Sequence, residues 1–337
     1  MPLVSVLMPV RDGQRFVDAA VRSVLCASDV ELVAVDDGSI DATPSILAGW
    51  AARDARVRVI TLGAPGGAAA ARNRGLAACT GEFVSPLDAD DLFVAEAVDA
   101  KVAALRADPG AALVAGGAEV IDARGRRLFT RRYAEPPEVT AHLLAVRNPL
   151  MHSGVMYRRA DALAVGGYAE DLVGSHDYDL WLRLLGRGRI VSLPIVCTRY
   201  RWHSEQTTVR SAAVQRAESF ANSRRRLVEV LGHEPDPAAA VAALNVARET
   251  GRIVDFPAAD RLFRELLPFA PAASHARIRE LTAELWVNHA SRLALAGHLR
   301  DALSCLRRAA RWSPRAVAPL AARRIAWLAA VRYRERT

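Results

Sequence analysis

The sequence is nearly devoid of lysine: of 45 basic residues only Lys101 is one, so the formal charge of +8 is carried by arginine, a skew we attribute to coding bias. Paired cysteines are also missing. Cys26, Cys79, Cys197 and Cys305 lie far apart with no CxxC spacing, which argues against a disulfide framework or a zinc site and for buried free thiols. No apolar run approaches the roughly 18 residues of a membrane span, and the opening MPLVSVLMPV has neither the basic stretch nor the cleavage site of a signal peptide. A cytoplasmic protein is the expectation. The positive charge comes with no recognised nucleic-acid motif, so no nucleic-acid partner is expected.

What is present is an apolar content of 51% in 337 residues, enough for one large domain and a smaller one, each with its own core. The first hundred residues alternate β-branched runs with helical patterns, a βαβα arrangement around a mostly parallel sheet. Strands are expected at LVSVLMP, VELVAVDD, RVRVIT and EFVSPLD, with Thr43 as N-cap and Pro44 opening a helix through PSILAGWAARD. The chain then becomes mixed from about Ala111 to Arg201, with turns at DARGRR and Gly166-Gly167 and a helix around YDLWLRLLGRG. Beyond about residue 210 it is helical in period and rich in alanine and arginine. Two segments there share a plan of helix, glycine turn, helix and proline, like degenerate tetratricopeptide hairpins. We expect a catalytic domain over residues 1–210 and a basic helical domain over 211–337. Near the end, Arg323, Arg324 and Arg332 flank Trp327 in a pattern suited to peripheral contact with an anionic membrane, at the inner face of the cytoplasmic membrane. A solvated helix face is the preferred, blander reading.

Acidic residues collect where two strands end. Asp36 and Asp37, in VDDGSIDAT, sit at a strand's carboxyl end, where open α/β sheets bind ligands and where a nucleotide's base and ribose offer hydrogen bonds. Asp41 is read as a helix cap. The glycine-rich GAPGGAAAARNRG leads into a helix carrying Arg72 and Arg74, and a guanidinium beside a helix N-terminus suits phosphate. In LDADD, Asp88, Asp90 and Asp91 raise one another's pKa unless a cation neutralises them, so a divalent metal bound through oxygen is expected, Mn²⁺ or Mg²⁺. Asp91 is read as capping a helix that starts near Leu92. In HDYDLWLRL the apolar residues fall on one helical face, which leaves Asp177 at the helix start to act as a general base. His203 is placed to reach a metal or pyrophosphate, and His152 and Asn148 to face an acceptor.

The order of VDDGSxDxT, AAARNRGLAACTGEFVSPLDADD, GGY, HDYDLWLRL and YRWHSEQTT over residues 1–210 resembles the family 2 glycosyltransferases. The resemblance implies the GT-A fold, an α/β mixed sheet of the Rossmann-like kind, and inverting transfer from a nucleotide-diphosphate sugar to a hydroxyl acceptor. A UDP-sugar is the first choice of donor, with dTDP- and GDP-sugars behind it. It also implies roles: Pro9, Asp36 and Asp37 for the nucleoside, Arg72 by the base or diphosphate, Asp88 for ribose, Asp90 for metal, Asp177 as base, and His203 near metal or diphosphate. There are departures. Asp12 stands for the usual Asn, Cys26 and Ala27 for a usual Gln, and His176 for the usual acid before the base, which removes a like charge from Asp177. A non-catalytic nucleotide-sugar scaffold and a nucleotidyltransferase are the alternatives.

Overall fold

The structure is a computed structural model that describes residues 3–204, 206, 211–248, 250, 252 and 254–322. Arg323, Arg324, Trp327 and Arg332 of the basic segment lie outside the described residues. Two compact units are present: Met1–Pro137 with Pro149–Ser219, and Glu138–Asn148 with Phe220–Thr337.

In the first unit, β1 (Val4–Val10) and β2 (Val30–Asp36) are buried along their whole length, which is why both read as unbroken apolar runs. β3 (Val57–Thr61) and β4 (Phe83–Pro86) complete the parallel half, with β1 paired to β2 and β4 and β2 to β3. The register sets Val10 against Asp36 and Leu7 against Pro86, so Asp36 and the acids after β4 emerge at the same end of the sheet. The sheet continues through β8 (Met156–Arg158), β6 (Ala111–Ile121) and β9 (Arg189–Arg201), with the two-residue β5 (Leu92–Phe93) on the edge of β9 and β7 (Arg127–Arg131) on β6. Both β8 contacts are antiparallel, so the sheet is mixed.

Helices α1 (Val17–Leu25), α2 (Thr43–Ala51) and α3 (Ala68–Ala78) link the strands of the parallel half, and α4 (Val98–Ala107) leads from β5 to β6. The expected N-cap is displaced by one residue: α2 already includes Thr43, preceded by Ala42, which makes no side-chain cap. The Thr43 hydroxyl instead accepts the Gly13 N–H at 2.9 Å, so it fastens the loop after β1. Nor does a helix begin near Leu92, because that residue and Phe93 pair as a strand with Arg199 and Thr198. Of the four thiols, Cys79, Cys197 and Cys305 are buried as expected, whereas Cys26 is exposed at the end of α1.

The second unit holds α5 (Pro137–Leu143) from Glu138 on, the later part of α8 (Ala212–Leu231), and α9 (Pro237–Ala247), α10 (Phe256–Leu266), α11 (His275–Leu295) and α12 (Leu299–Trp312). Asp236 and Asp255 cap α9 and α10 with their carboxylates, each with a proline in the first two helical positions. The core of this unit is centred on fully buried Trp286, met edge-on by Phe256 and Phe263. Alanines at the contacts let the helices approach closely. Among the described residues no helix is long and apolar enough to cross a membrane.

The seat of α3 on the sheet depends on Gly75. A Cβ there would come within 2.2 Å of Leu7 Cδ1 and 2.9 Å of Val35 Cγ2. Gly75→Ala is therefore expected to lose about 1–3 kcal/mol of stability through overpacking, more than its gain in helix propensity. Urea denaturation of the two proteins checks this, and an unchanged or raised midpoint would contradict the packing.

Candidate active site

The loops at the carboxyl ends of β1 and β2 are tied to each other by their own side chains. Asp36 Oδ1 accepts the Ser39 N–H at 3.1 Å. Asp12 adopts the left-handed backbone (φ 51°) that Asn and Asp tolerate best, and its Oδ1 accepts the Ile40 N–H at 2.9 Å. Asp41 accepts from Gln14 and Thr43 backbone N–H groups, in keeping with a local, structural role. The Asp37 carboxylate accepts the N–H groups of Gly66 and Gly67 at 2.6 and 3.0 Å, holding the glycine loop at the start of α3. Pro9 lies beside Val35 in the penultimate register position of β1.

After β4 the chain turns sharply, with the Asp91 N–H donating to the Asp88 carbonyl at 3.0 Å, and the three acids separate. Asp88 Oδ1 accepts from Arg72 Nη2 at 2.6 Å and lies 3.2 Å from His152 Nδ1. Burial works to raise the Asp88 carboxyl, but His152 and the Arg72 guanidinium overcome it and hold the group well below the usual carboxylate range. Asp90 Oδ2 sits 2.8 Å from His203 Nε2. Burial and the neighbouring Asp88 charge push the Asp90 carboxyl up. Asp91, fully inside, accepts from Ser153 Oγ at 2.6 Å and from the Arg201 N–H at 2.8 Å. It thus staples the turn to β9 and to the segment before β8, a role that the expected helix cap does not describe; burial, then Asp90 and Asp88, raise its carboxyl strongly.

Arg72 joins this cluster to the helix α7 (His176–Leu185). Only 6% exposed, it donates from Nη2 to Asp88 and from Nη1 to His176 Nε2 at 2.5 Å, and it lies over the Tyr168 ring. A guanidinium has no acceptor, so Nε2 of His176 carries the lone pair. Burial first, and then Arg72, lower the His176 pKa to about 2, so the imidazole is neutral. Arg72 Nε is buried with no hydrogen-bond partner among the described residues.

Asp177 follows in the first turn of α7, half-buried, with Oδ1 accepting its neighbour Tyr178 N–H at 2.7 Å. Burial raises its carboxyl above the ordinary range, against the pull of His152 and Arg72. A carboxylate raised in this way is a better base. Of the expected apolar face Leu180, Trp181 and Leu184 are buried and Leu185 is partly buried, while Tyr178 and Leu182 are buried as well.

Further residues support the site. His152 bridges Asp88 and the Tyr168 hydroxyl, 3.2 Å from each, and stacks on Trp181. Tyr168 passes the network on to the Tyr157 hydroxyl. Asn73 exchanges two hydrogen bonds with the Tyr168 backbone, and Gly167 gives it room, since a Cβ there would lie 2.4 Å from Asn73 Oδ1. Ser153 and Arg201 hold Asp91. The sequence pattern singles out His152 but for an acceptor-facing place, and Asn148, offered with it, belongs to the other unit. RNRG and GGY are the signals that point to Asn73 and Tyr168.

Among the described residues no three His, Cys, Asp or Glu side chains converge into a metal cage. Asp90 and His203 supply one oxygen and one nitrogen where burial and the Asp88 charge disfavour a lone carboxylate. Such a partial set fits Mn²⁺ or Mg²⁺, which take one or two protein ligands and fill their shell with water and substrate phosphates.

Residues 5–163 match the family model described as glycosyl transferase family 2. A relative from Myxococcus xanthus, O-antigen biosynthesis protein RfbC, is 34% identical over 189 residues, which is 54% of this chain and 14% of that protein. The chain spans between 14% and 66% of the length of the curated relatives it matches. In fold it is similar to S. aureus TarS 1–349 in complex with UDP-GlcNAc, with a TM-score of 0.56 and 17% identity over 91% of each chain. It is likewise similar to the mannosyltransferase PcManGT from Pyrobaculum calidifontis in complex with GDP-Man and Mn²⁺, with a TM-score of 0.55 and 18% identity over 92% of this chain and 86% of that one. The expected fold, an α/β GT-A architecture followed by helices, is therefore present, and residues 5–163 are similar to the family 2 glycosyl transferases.

The neutral His176 has a measurable consequence. Its folded pKa of about 2 lies below the unfolded value of roughly 6.5. As pH falls below 6.5 the unfolded chain therefore takes up a proton that the folded one refuses, and stability declines. His176→Gln keeps an acceptor for Arg72 and removes the titration. Between pH 7 and pH 5 the wild type is expected to lose about 1–2 kcal/mol more than the variant in urea denaturation, and equal losses would contradict a buried neutral imidazole.

Proposed function

We propose, on the premise that residues 5–163 are a family 2 glycosyltransferase domain, that the chain moves a sugar from a nucleotide-diphosphate sugar to a hydroxyl acceptor with inversion at the anomeric carbon. The observation that carries this reading is the Arg72 bridge, which joins the Asp88 side of the acid cluster to the helix bearing Asp177. In this reading residues 1–210 are the catalytic domain and the helices of 211–337 an accessory one. A UDP-sugar is the first donor to test and a GDP-sugar the second, following the complexes of the two structural neighbours, with dTDP-sugars third. The O-antigen relative favours a glycan or lipid-linked acceptor.

Pro9, Asp36 and Asp37 line the nucleoside end, with Asp37 acting as well through the glycine loop it holds. Asp88 meets the ribose. The Arg72 Nε–H, without a partner among the described residues, is a donor whose burial costs about 1–3 kcal/mol, a deficit that an accepting oxygen of the nucleotide sugar relieves. Asp90 and His203 hold Mn²⁺ or Mg²⁺. When bound, the cation supplies Lewis-acid stabilisation for the charge on the leaving diphosphate.

Asp177 takes the proton of the acceptor hydroxyl as its oxygen bonds to the anomeric carbon. The bond from that carbon to the diphosphate oxygen breaks on the opposite face, and a nucleoside diphosphate leaves. One base and one leaving group on opposite faces require no covalent intermediate, and the carbon inverts. The raised carboxyl of Asp177 suits this role, since a stronger base accepts the proton more readily.

The test is a panel of UDP-, dTDP- and GDP-sugars with Mn²⁺ and an acceptor extract, with released nucleoside diphosphate as the readout. Pyrophosphate release would instead indicate nucleotidyl transfer, and tight binding without release a scaffold. Asp177→Asn is expected to keep donor affinity while losing turnover by about 10²–10⁴-fold, and full activity would remove Asp177 as base. Asp90→Ala is expected to abolish Mn²⁺-dependent nucleotide binding in calorimetry, and undiminished binding would place the metal elsewhere.

A further inference from the structure

The loop that begins the Asp177 helix is held by a residue 43 positions away from it. Glu218, in α8, accepts the Val173 N–H on Oε1 at 2.7 Å and the Gly174 and Ser175 N–H groups on Oε2 at 2.8 and 2.9 Å. Three successive backbone donors therefore converge on one carboxylate immediately before His176, the first residue of α7. Of these donors Ser175 is the N-cap residue of α7 and the other two lead into it, and a negative charge at a helix start is favoured by the helix dipole.

Ser175 is the N-cap residue of α7 but makes no side-chain cap, and its hydroxyl instead lies 2.9 Å from the Ser219 hydroxyl. Gly174 allows α8 to come close: a Cβ there would stand 2.9 Å from Gln215 Cβ and 3.3 Å from its Cα. Gln215, Glu218 and Ser219 thus form one edge of α8 fitted to three consecutive loop residues. None of the three lies within the family match of residues 5–163.

We propose that Glu218 is a positioning residue for Asp177: by fastening the loop that leads into α7 to α8 it fixes the direction from which the carboxylate two residues beyond the N-cap meets the acceptor hydroxyl. This rests on the base assignment above. The Glu218 carboxylate is engaged by the loop backbone at residues 173–175, so its loss is expected to act on the chemical step and not on donor binding. Misplacing a reacting group by about 1 Å costs on the order of 100-fold.

The experiment uses the full chain with the nucleotide sugar that the panel turns over fastest, and compares Glu218→Ala, Glu218→Gln and Asp177→Asn. Glu218→Ala is expected to lower kcat by about ten- to a hundredfold, to leave the Kd for the nucleoside diphosphate with Mn²⁺ within about twofold, and to speed hydrogen exchange at residues 173–175. Glu218→Gln, whose amide oxygen still accepts from two of the three N–H groups, restores most of the turnover. An unchanged kcat in Glu218→Ala overturns the proposal, as does a parallel fall of kcat, affinity and melting temperature that Gln does not rescue. Should Glu218→Ala fail to fold, Glu218→Asp, too short to span the gap, replaces it, and Gln no better than Asp overturns the proposal. Asp177→Asn separates the two levels: if it stays active, or if the wild type turns over no sugar, the base assignment fails and Glu218 with it. If Asp177→Asn is dead and Glu218→Ala is normal, only the role of Glu218 fails.

Discussion

The Arg72 guanidinium is the interaction on which the rest of the site depends. A buried cation needs partners, and Arg72 finds a carboxylate on one side and a neutral imidazole on the other. The carboxylate, Asp88, follows β4 at the end of the parallel half of the sheet, and the imidazole, His176, begins the helix that carries Asp177. One side chain of α3 therefore spans two elements that are 88 residues apart in the chain, and the glycine loop tied by Asp37 sets where α3 begins. The close seat of Gly75 on the sheet sets how deep it lies.

The same contact explains why three acids in five residues behave differently. Asp88 is neutralised by Arg72 and His152, so it stays ionised in spite of burial. Among the described residues the Asp90 side chain meets the imidazole of His203 and no guanidinium, and its carboxyl is pushed up by burial and by Asp88. It is the member of the cluster with most to gain from a divalent cation. Asp91 serves the architecture, fixing the turn against Ser153 and Arg201. Asp177 lies just beyond His176, and the positive charge of Arg72 draws its pKa down while burial draws it further up.

Much of this was legible in the residues alone. Unbroken apolar runs in β1 and β2 identify buried parallel strands, and DD and LDADD at strand ends mark the ligand side of the sheet. Spacing within HDYDLWLRL isolates Asp177 from the buried face. Contacts between residues distant in sequence were not legible. Nothing in LDADD distinguishes an acid held by Arg201 from one that caps a helix, because the discriminating partner lies 110 residues away. Thr43 was misplaced by one position because a threonine before a proline reads as a cap whether its hydroxyl serves its own helix or, as here, Gly13. His152 reads as an acceptor contact until Asp88 and Tyr168 are seen on its two nitrogens.

The central claim is that a single carboxylate acts opposite a leaving diphosphate, and the stereochemistry of the product tests it most directly. Proton NMR of the first-formed product, taken before any mutarotation, reports the anomeric configuration against that of the donor. An α-linked donor yielding a β-linked product is the predicted result. Retention of configuration would contradict the account, since it would demand a second nucleophile or a front-face attack that one base at Asp177 does not provide.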